Sequence, residues 1–175
     1  TRFKPDLEVN GDDRVYLQLG GVCYQSTVFL NGIEVGGHTG AYGYFTIDVT
    51  DAIKYDRPNI LAVYARTGKA SSPIKGLTTD SLPVWNAVPA IGQAAYLYAK
   101  PQVSIADTSV VPSCEDGTIA LTVTLRNASD AETQVSLGAS IRENGNSLVI
   151  DSEKTTVTVP VGESFHRISL EVKNF

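Results

Sequence analysis

Three residues that lie close together in the sequence have the chemistry of a carbohydrate-contact site. Trp85 offers a flat apolar ring that can stack on the C–H face of a pyranose. Asn86 and Asp80 supply an amide and a carboxylate that can hydrogen-bond to sugar hydroxyls. All three fall between Pro73 and Gly92, a stretch rich in Pro, Gly, Ser and Thr that predicts a long loop. The alternative is structural, because a lone tryptophan in such a loop can also fill the gap between two β-sandwiches.

The histidines and cysteines do not have the spacing of a metal site. His38 has no second histidine nearer than His166 and no carboxylate at ligand spacing. Cys23 and Cys114 are too few for a disulfide framework and wrongly spaced for a zinc cluster, so they predict two buried thiols rather than a bridge. The glycines of residues 36–40 run into a strand pattern and not a helix, which excludes a phosphate-binding loop. We therefore expect no metal and no cofactor.

Apolar residues alternate with polar ones over most of the chain, a period of two that predicts β-strands. Before residue 100 this pattern predicts strands at Arg14–Leu19, Val28–Leu30, Ile33–Val35, Ile60–Tyr64 and Tyr96–Tyr98. Asn31-Gly32 lies between two of these runs and predicts a hairpin with a type I′ turn. The strand Ile60–Tyr64 is apolar throughout, as expected when both faces are covered. The only helical signal is Thr50–Lys54, a single turn with Thr50 as its cap.

Four cleaner alternating sets follow in the second part of the chain, after an initial strand at Val103–Ala106. Their apolar members are Ile119, Leu121, Val123 and Leu125; Val135, Leu137, Ala139 and Ile141; Val157, Val159 and Val161; and Ile168, Leu170 and Val172. Turn signals between the sets predict an antiparallel sandwich. We place the boundary near Pro101, which gives domains at residues 1–101 and 102–175, and the second is short for a complete sandwich.

Composition and charge exclude several classes of protein. Hydrophobic residues make up 42% of the chain and charged residues 19%, which is typical of a globular protein. The net charge of -5 argues against nucleic acid and against an anionic membrane surface as partners. No apolar run reaches the roughly 20 residues that a spanning helix needs. Since the sequence starts at Thr1 and contains no methionine, we expect the natural start, and any secretory signal, to lie upstream.

A series of short motifs in the first domain follows a recognisable order. It reads Gly21-Val22, Val28–Gly32, Gly37-His38, Gly40 and Tyr42, Phe45, Asp48–Thr50, Asn59, and Leu61–Val63. In this order the motifs resemble the sugar-binding domain that opens glycoside hydrolase family 2 enzymes, which are β-galactosidases, β-glucuronidases, β-mannosidases and exo-β-glucosaminidases. The next module of that family is an immunoglobulin-like sandwich, and the segments Val103–Asp107 and Ile119–Asn127 are similar to its opening strands.

The chain departs from the family pattern at two places near the predicted loop. The family commonly has Gly-Ile-aromatic-Arg before the last strand of the first domain, and residues 90–93 here read Ala-Ile-Gly-Gln, without the arginine. Family members often have an aspartate beside the tryptophan of the loop, where this chain has Val84. Asp80 is then the carboxylate nearest to Trp85 in the predicted loop.

The resemblance implies an all-β protein: a galactose-binding-like jelly-roll β-sandwich, shortened at its N-terminus, followed by an immunoglobulin-like β-sandwich. Family 2 enzymes hydrolyse β-linked sugars with retention and carry both catalytic carboxylates on a barrel domain, with the acid/base in an Asn-Glu pair. The 175 residues contain no Asn-Glu dipeptide and no alternating βα pattern. We therefore expect a fragment that has no catalytic residues and is not itself an enzyme.

The partners and location follow from the same resemblance. We expect the catalytic barrel of the parent chain as the main partner, a weak carbohydrate ligand, and neither nucleic acid nor membrane. We expect the parent to be periplasmic or secreted, with the cytoplasm as the alternative. Two other functions fit the same pattern of strands: a free-standing carbohydrate-binding module, and a structural β-sandwich protein of the cell surface. The sequence beyond Phe175 would separate them, since only a hydrolase continues into a barrel.

Overall fold

The structure is a computed structural model that describes residues 1–40, 43–66, 90–142 and 149–172. The chain divides into two compact units, Thr1–Lys100 and Pro101–Phe175. In the described ranges every helix or strand assigned is a β-strand, which confirms the predicted all-β class. A search of these same ranges finds no helix with the length and apolar character needed to cross a membrane.

The first unit contains nine strands within the described ranges. They are β1 (Arg2–Phe3), β2 (Arg14–Gly20), β3 (Val22–Cys23), β4 (Gln25–Leu30), β5 (Ile33–Thr39), β6 (Tyr44–Asp48), β7 (Asn59–Arg66), β8 (Ala90–Ile91) and β9 (Tyr96–Lys100). One sheet has the strand order β1-β7-β4-β5, a second has the order β6-β2-β9, and β3 pairs with β8. All these pairs are antiparallel.

The core of the first unit is built from alternate residues of these strands, as the period of two predicts. Its buried members are Val15, Leu17, Leu19, Val22, Val28, Leu30, Ile47, Val49, Ile53 and Leu61. Phe3, Leu7 and Val9 pack against this cluster from the N-terminal segment. Phe45 is half-buried and packs against the cluster too.

The hairpin predicted at Asn31-Gly32 is confirmed. Leu30 of β4 pairs with Ile33 of β5, so the two residues between them form the turn. Their φ angles are 55° and 85°, the left-handed values that a type I′ turn requires of both positions. Asparagine and glycine adopt these angles at lower cost than other residues, which is why this dipeptide occupies the turn.

A buried asparagine ties this turn to the start of β7. Asn59 is fully buried, and its side-chain Oδ1 accepts hydrogen bonds from Asn31 Nδ2 at 2.8 Å and from the backbone N–H of Lys54 at 2.9 Å. Its Nδ2 donates to the Lys54 carbonyl at 2.7 Å. Asn31 in turn donates to the Ala52 carbonyl and accepts from the Ile60 N–H. The two amides therefore fasten the turn, the connection before β7, and β7 itself together.

The predicted helical turn at Thr50–Lys54 is only a turn, and Thr50 does not cap it. The backbone N–H groups of Ala52 and Ile53 both bond to the carbonyl of Val49, at 3.0 Å each. The hydroxyl of Thr50 instead donates to Asp48 and accepts from the N–H of Val15 in β2. The Thr50 side chain therefore stabilises the sheet that contains β2 and β6 and does not cap a helix.

The second unit contains five strands within the described ranges. They are β10 (Val103–Ser113), β11 (Thr118–Asn127), β12 (Thr133–Arg142), β13 (Val149–Val159) and β14 (Gly162–Glu171). They form a three-stranded antiparallel sheet of order β10-β11-β14 and an antiparallel pair, β12-β13. The two sheets contribute to one hydrophobic core, whose buried residues are Val123, Leu125, Leu137, Val159, Ile168 and Leu170. The predicted alternating sets are confirmed except at two ends: Val161 lies after the end of β13 and is exposed, and Val172 lies one residue after the end of β14.

The exposure of β7 and the length of β10 differ from the sequence-based expectation. β7 is not covered on both faces, because Ile60 and Tyr64 are 59% and 60% exposed. β10 is longer than the predicted Val103–Ala106 and runs to Ser113, with a register shift between Ile105 and Asp107. It is an edge strand in which Val110 and Val111 are exposed.

Asn127 is a second buried asparagine with a structural role. It is 1% exposed, and its Nδ2 donates to the carbonyls of Ala131 and Val159. Its Oδ1 accepts from both the N–H and the hydroxyl of Ser129. Asn127-Ala128-Ser129 matches the N-glycosylation pattern, but its amide nitrogen is buried and already bonded, so this asparagine is not accessible for glycan attachment.

Candidate functional site

The three predicted carbohydrate-contact residues, Trp85, Asn86 and Asp80, lie outside the described residues. The strands that border residues 67–89 are described, and the second of them, β8 (Ala90–Ile91), shows that the predicted loop is wrong for these two residues. The carbonyl of Arg66, the last residue of β7, accepts a hydrogen bond from the N–H of Tyr24 at 3.0 Å. Ala90, the first residue of β8, pairs with Cys23. Arg66 and Ala90, the residues that border positions 67–89, are therefore held by two consecutive residues, Tyr24 and Cys23.

Gly20 and Gly21, at the end of β2 and just after it, allow close contacts with residues 92 and 93. Gly21 has a φ of 61°, and its carbonyl accepts a hydrogen bond from the N–H of Gly92 at 3.0 Å. A Cβ at Gly20 would lie 2.6 Å from the Gln93 side chain and from the Tyr44 ring. Gln93 occupies the position at which the family commonly has arginine. The Gly21-Val22 motif thus combines a left-handed residue with a core valine that is 1% exposed.

His38 has a packing role in the structure. Its ring stacks on Phe45 with 4.7 Å between ring centroids and an interplanar angle of 13°. A Cβ at Gly40 would lie 2.6 Å from His38 Nε2, so the glycine leaves room for the ring. In the parts of the chain that the structure describes, no group of three or more His, Cys, Asp or Glu side chains could hold a metal ion. His38 therefore links β5 to β6, which belong to different sheets.

An ion pair that the sequence analysis did not find connects β2 with β6. Arg14 Nε donates to Asp48 Oδ2 at 2.9 Å, while Asp48 Oδ1 accepts from the Thr50 N–H and hydroxyl. Burial acts to raise the pKa of Asp48, but the hydrogen bonds from Thr50 and Arg14 outweigh it and lower that pKa below its ordinary value. The hydrogen bond to Asp48 raises the pKa of Arg14. The Asp48–Thr50 motif could have signalled a bonded carboxylate, but nothing in the spacing identified Arg14.

We expect Asp48→Asn to lower stability at neutral pH by about 1 kcal/mol or less, since the pair is partly exposed. A lowered pKa means that the carboxylate stabilises the fold above its unfolded value, near pH 4, and that this stability is lost as pH falls through the folded value. Urea unfolding at neutral and at acidic pH should therefore show a smaller pH dependence in the variant than in the wild type. Asp12→Asn, at an exposed position, is the control and should keep the wild-type dependence. An unchanged dependence in Asp48→Asn would contradict the assignment.

Cys23 and Cys114 are not joined in a disulfide bond. Cys23 is buried as predicted, whereas Cys114 is exposed, so the prediction of two buried thiols is wrong for the second. Cys114 follows directly on the end of β10, at a turn where side chains are open to solvent.

The sheets, the Gly21-Val22 corner and the Asn31-Gly32 hairpin define a class of protein, one in which a jelly-roll β-sandwich is followed by an immunoglobulin-like β-sandwich. Solved structures of this class match the chain along nearly its whole length. A β-glucuronidase from Bacteroides uniformis matches with a TM-score of 0.75 and 18% identity, over 97% of this chain and 21% of its own. A putative β-galactosidase from Bacteroides fragilis matches with a TM-score of 0.74 and 21% identity, over 98% of this chain and 27% of its own.

Curated proteins match a shorter part of the sequence at higher identity. A β-glucuronidase of Bacteroides fragilis is 38% identical over 56 residues, 32% of this chain and 8% of the relative. A β-galactosidase of Thermoanaerobacter pseudethanolicus is 40% identical over 62 residues, 35% of this chain and 8% of the relative. No protein-family model matches the chain.

The predicted resemblance to glycoside hydrolase family 2 is confirmed. A family 2 member from Bacteroides cellulosilyticus has the same fold, with a TM-score of 0.72 over 98% of this chain and 23% of its own. The chain thus spans about a fifth to a quarter of the length of these three structures. The chain is therefore similar to one part of these larger proteins.

Proposed function

We propose that this chain forms the non-catalytic sugar-binding and immunoglobulin-like domains of a family 2 glycoside hydrolase. One observation carries the proposal: the fold matches family 2 structures over nearly all of this chain but only about a fifth of theirs. Retaining glycoside hydrolysis needs two positioned carboxyl groups, which family 2 enzymes carry on the barrel, so on this proposal the present domains support the chemistry without performing it.

The parent protein, on this proposal, hydrolyses the O-glycosyl bonds of β-linked sugars with retention and supplies the catalytic barrel as partner. The names of the relatives support this, as they are β-glucuronidases and β-galactosidases. The segment between Arg66 and Ala90, with Trp85, Asn86 and Asp80, would contribute weak sugar contacts. The two residues that border this segment, Arg66 and Ala90, are held by Tyr24 and Cys23. We also propose a periplasmic or secreted location for the parent.

The purified 175-residue chain should not hydrolyse chromogenic β-glucuronides, β-galactosides, β-mannosides or β-glucosaminides above the rate of the buffer. Isothermal titration with the corresponding monosaccharides should give millimolar affinity or none, because one loop provides few contacts. Turnover that persists through further purification would overturn the proposal. Micromolar binding without a barrel downstream in the reading frame would favour a free-standing carbohydrate-binding module instead.

A further inference from the structure

One face of the first unit presents apolar side chains to solvent. This outer face belongs to the sheet β1-β7-β4-β5, whose opposite side covers the core. Alternation along β7 turns Leu61 inward, where it is buried, and turns Ile60, Ala62 and Tyr64 outward. Since Ile60 and Tyr64 are both about 60% exposed, the strand carries an uncovered apolar row on this side.

The neighbouring strand β4 adds both apolar and polar groups to the outer face. Residues paired across two strands point to the same side of a sheet, so the register places Phe29 beside Ala62 and Thr27 beside Tyr64. Gln25 lies beside Arg66 at the end of the same row. Around Tyr64 the face therefore offers a hydroxyl, an amide and a guanidinium next to an exposed ring.

The other end of the outer face contains a shallow cleft of about 620 Å³. It is lined by Phe29, Asn31, Gly32, Lys54, Pro58, Ile60 and Ala62. Most of its described lining is apolar, and Lys54 is the charged residue among the described lining residues. The cleft thus places the ammonium-bearing Lys54 next to Ile60 and Ala62, two of the outward-facing apolar residues of β7.

Three cations lie along this face, together with the carboxylate of Glu34, which pairs with Phe29. Arg2 pairs with Ile60 across β1 and β7 and lies at one end of the face, while Arg66 lies at the other. Among the residues that the structure describes, neither arginine, nor Lys54, has a carboxylate partner in an ion pair. The net charge of the chain is -5, so this cluster of cations is a local exception. Such a surface attracts an anionic ligand.

We infer that the outer face binds an anionic polysaccharide. A pyranose stacks its C–H face on Tyr64, Thr27 and Gln25 bond to its hydroxyls, and Arg66 holds a carboxylate or sulfate group on the sugar. Arginine suits this role because its planar guanidinium presents paired donors to an oxyanion. A protein with an acidic rim fits the charge but leaves the hydroxyl and amide groups around Tyr64 unexplained. The inference is independent of the proposed function, as it involves none of residues 67–89.

The length of the face suits an extended ligand rather than a single sugar. From Ile60 to Arg66 the strand covers about 20 Å at roughly 3.4 Å per residue. Arg2 and Lys54 near one end and Arg66 at the other can therefore contact anionic groups on different sugar units of one chain. Binding through several separated charges predicts a strong dependence on salt.

Affinity electrophoresis and titration calorimetry on the 175-residue chain test the inference. Polygalacturonate supplies carboxylates, a sulfated galactan supplies sulfates, and unsulfated galactan is the neutral comparison. We expect binding to one or both anionic polymers, weakened at least tenfold when ionic strength rises from about 0.05 to about 0.5 M. Tyr64→Ala should weaken binding about fivefold to tenfold by removing the stacking surface. Arg66→Gln should weaken it about tenfold and reduce the salt dependence.

Two matched variants show whether the effect belongs to this face. Tyr96→Ala removes a tyrosine of similar exposure from β9, in another sheet, and Arg167→Gln removes an exposed arginine from the second unit. Both should bind within twofold of the wild type, and thermal melting of all four variants checks folding. Equal binding to the neutral galactan, or unchanged binding in Tyr64→Ala and Arg66→Gln, overturns the inference. Self-association that Tyr64→Ala abolishes, without any polysaccharide binding, would make the face a protein interface and likewise reject it.

Discussion

Asn59→Ala should destabilise the first unit by about 3–4 kcal/mol, since several buried polar groups lose their partners together. The N–H and carbonyl of Lys54 and the amide of Asn31 all bond to this side chain. Because Asn59 is fully buried, water cannot replace those bonds without opening the fold. Urea unfolding followed by circular dichroism measures the change as a shift in midpoint at constant slope.

Two further variants test whether the amide network is the cause. Asn10→Ala removes an exposed asparagine from the same unit and should change stability by less than about 0.5 kcal/mol. Asn31→Gly keeps the turn angles but removes the bond to Asn59, so its cost should be about 1 kcal/mol smaller in the Asn59→Ala background. Additive costs would show that the two amides act independently and would contradict the network.

Gly37→Ala should cost about 2–3 kcal/mol, because the new methyl group would collide with the backbone carbonyl of Ser26 in β4. The two strands are held by hydrogen bonds at this point, where Thr27 pairs with Gly37, so the carbonyl cannot move away without breaking the ladder. The φ of Gly37 is not left-handed, so the effect is one of space and not of backbone conformation. Chemical denaturation of the purified variant gives the value directly.

Gly20→Ala and Gly43→Ala are the matched controls. A Cβ at Gly20 would meet the Gln93 side chain and the ring of Tyr44, which is 56% exposed and free to swing outward. The cost should be at least about 1 kcal/mol below that of Gly37→Ala, since side chains yield more readily than backbone. A Cβ at Gly43 meets nothing within 4 Å, so that variant should be close to neutral. An equal loss in all three would point to a cause that the three positions share and would contradict the proposed collision, since the lower backbone entropy of alanine in the unfolded chain acts in the stabilising direction.

Sequence reasoning predicted several strands of the second unit and the hairpin well, because both depend on local signals. Alternation alone identified β11, β12 and β14, whose buried faces contain apolar residues at every second position. Asn31-Gly32 predicted its turn because few other dipeptides tolerate two positive φ angles. The order of motifs from Gly21 to Val63 predicted the family resemblance, and the structure explains several of these residues by backbone angle or burial.

Other features depend on tertiary pairing and carry no local signal. The two-residue strands β1, β3 and β8 are too short to show a period, and each exists through its partner strand. The open face of β7 was mispredicted because Ile60–Tyr64 is apolar at every position, a pattern that does not reveal which face is left uncovered. Arg14 likewise became relevant only when the fold placed it beside Asp48. The site prediction at Trp85 lies outside the described residues and remains a prediction.

The construction of β10 limits fibrous aggregation through its free edge. Two neighbouring exposed valines on an edge strand are a template on which another polypeptide can add. Pro112 follows them directly and has no N–H to donate to an incoming strand. The register shift near Ala106 bends the same edge at its other end. Only the short stretch between these two points can form a regular ladder of hydrogen bonds with an added strand. Cross-β stacking on this edge is therefore weakly stabilised, even at high protein concentration.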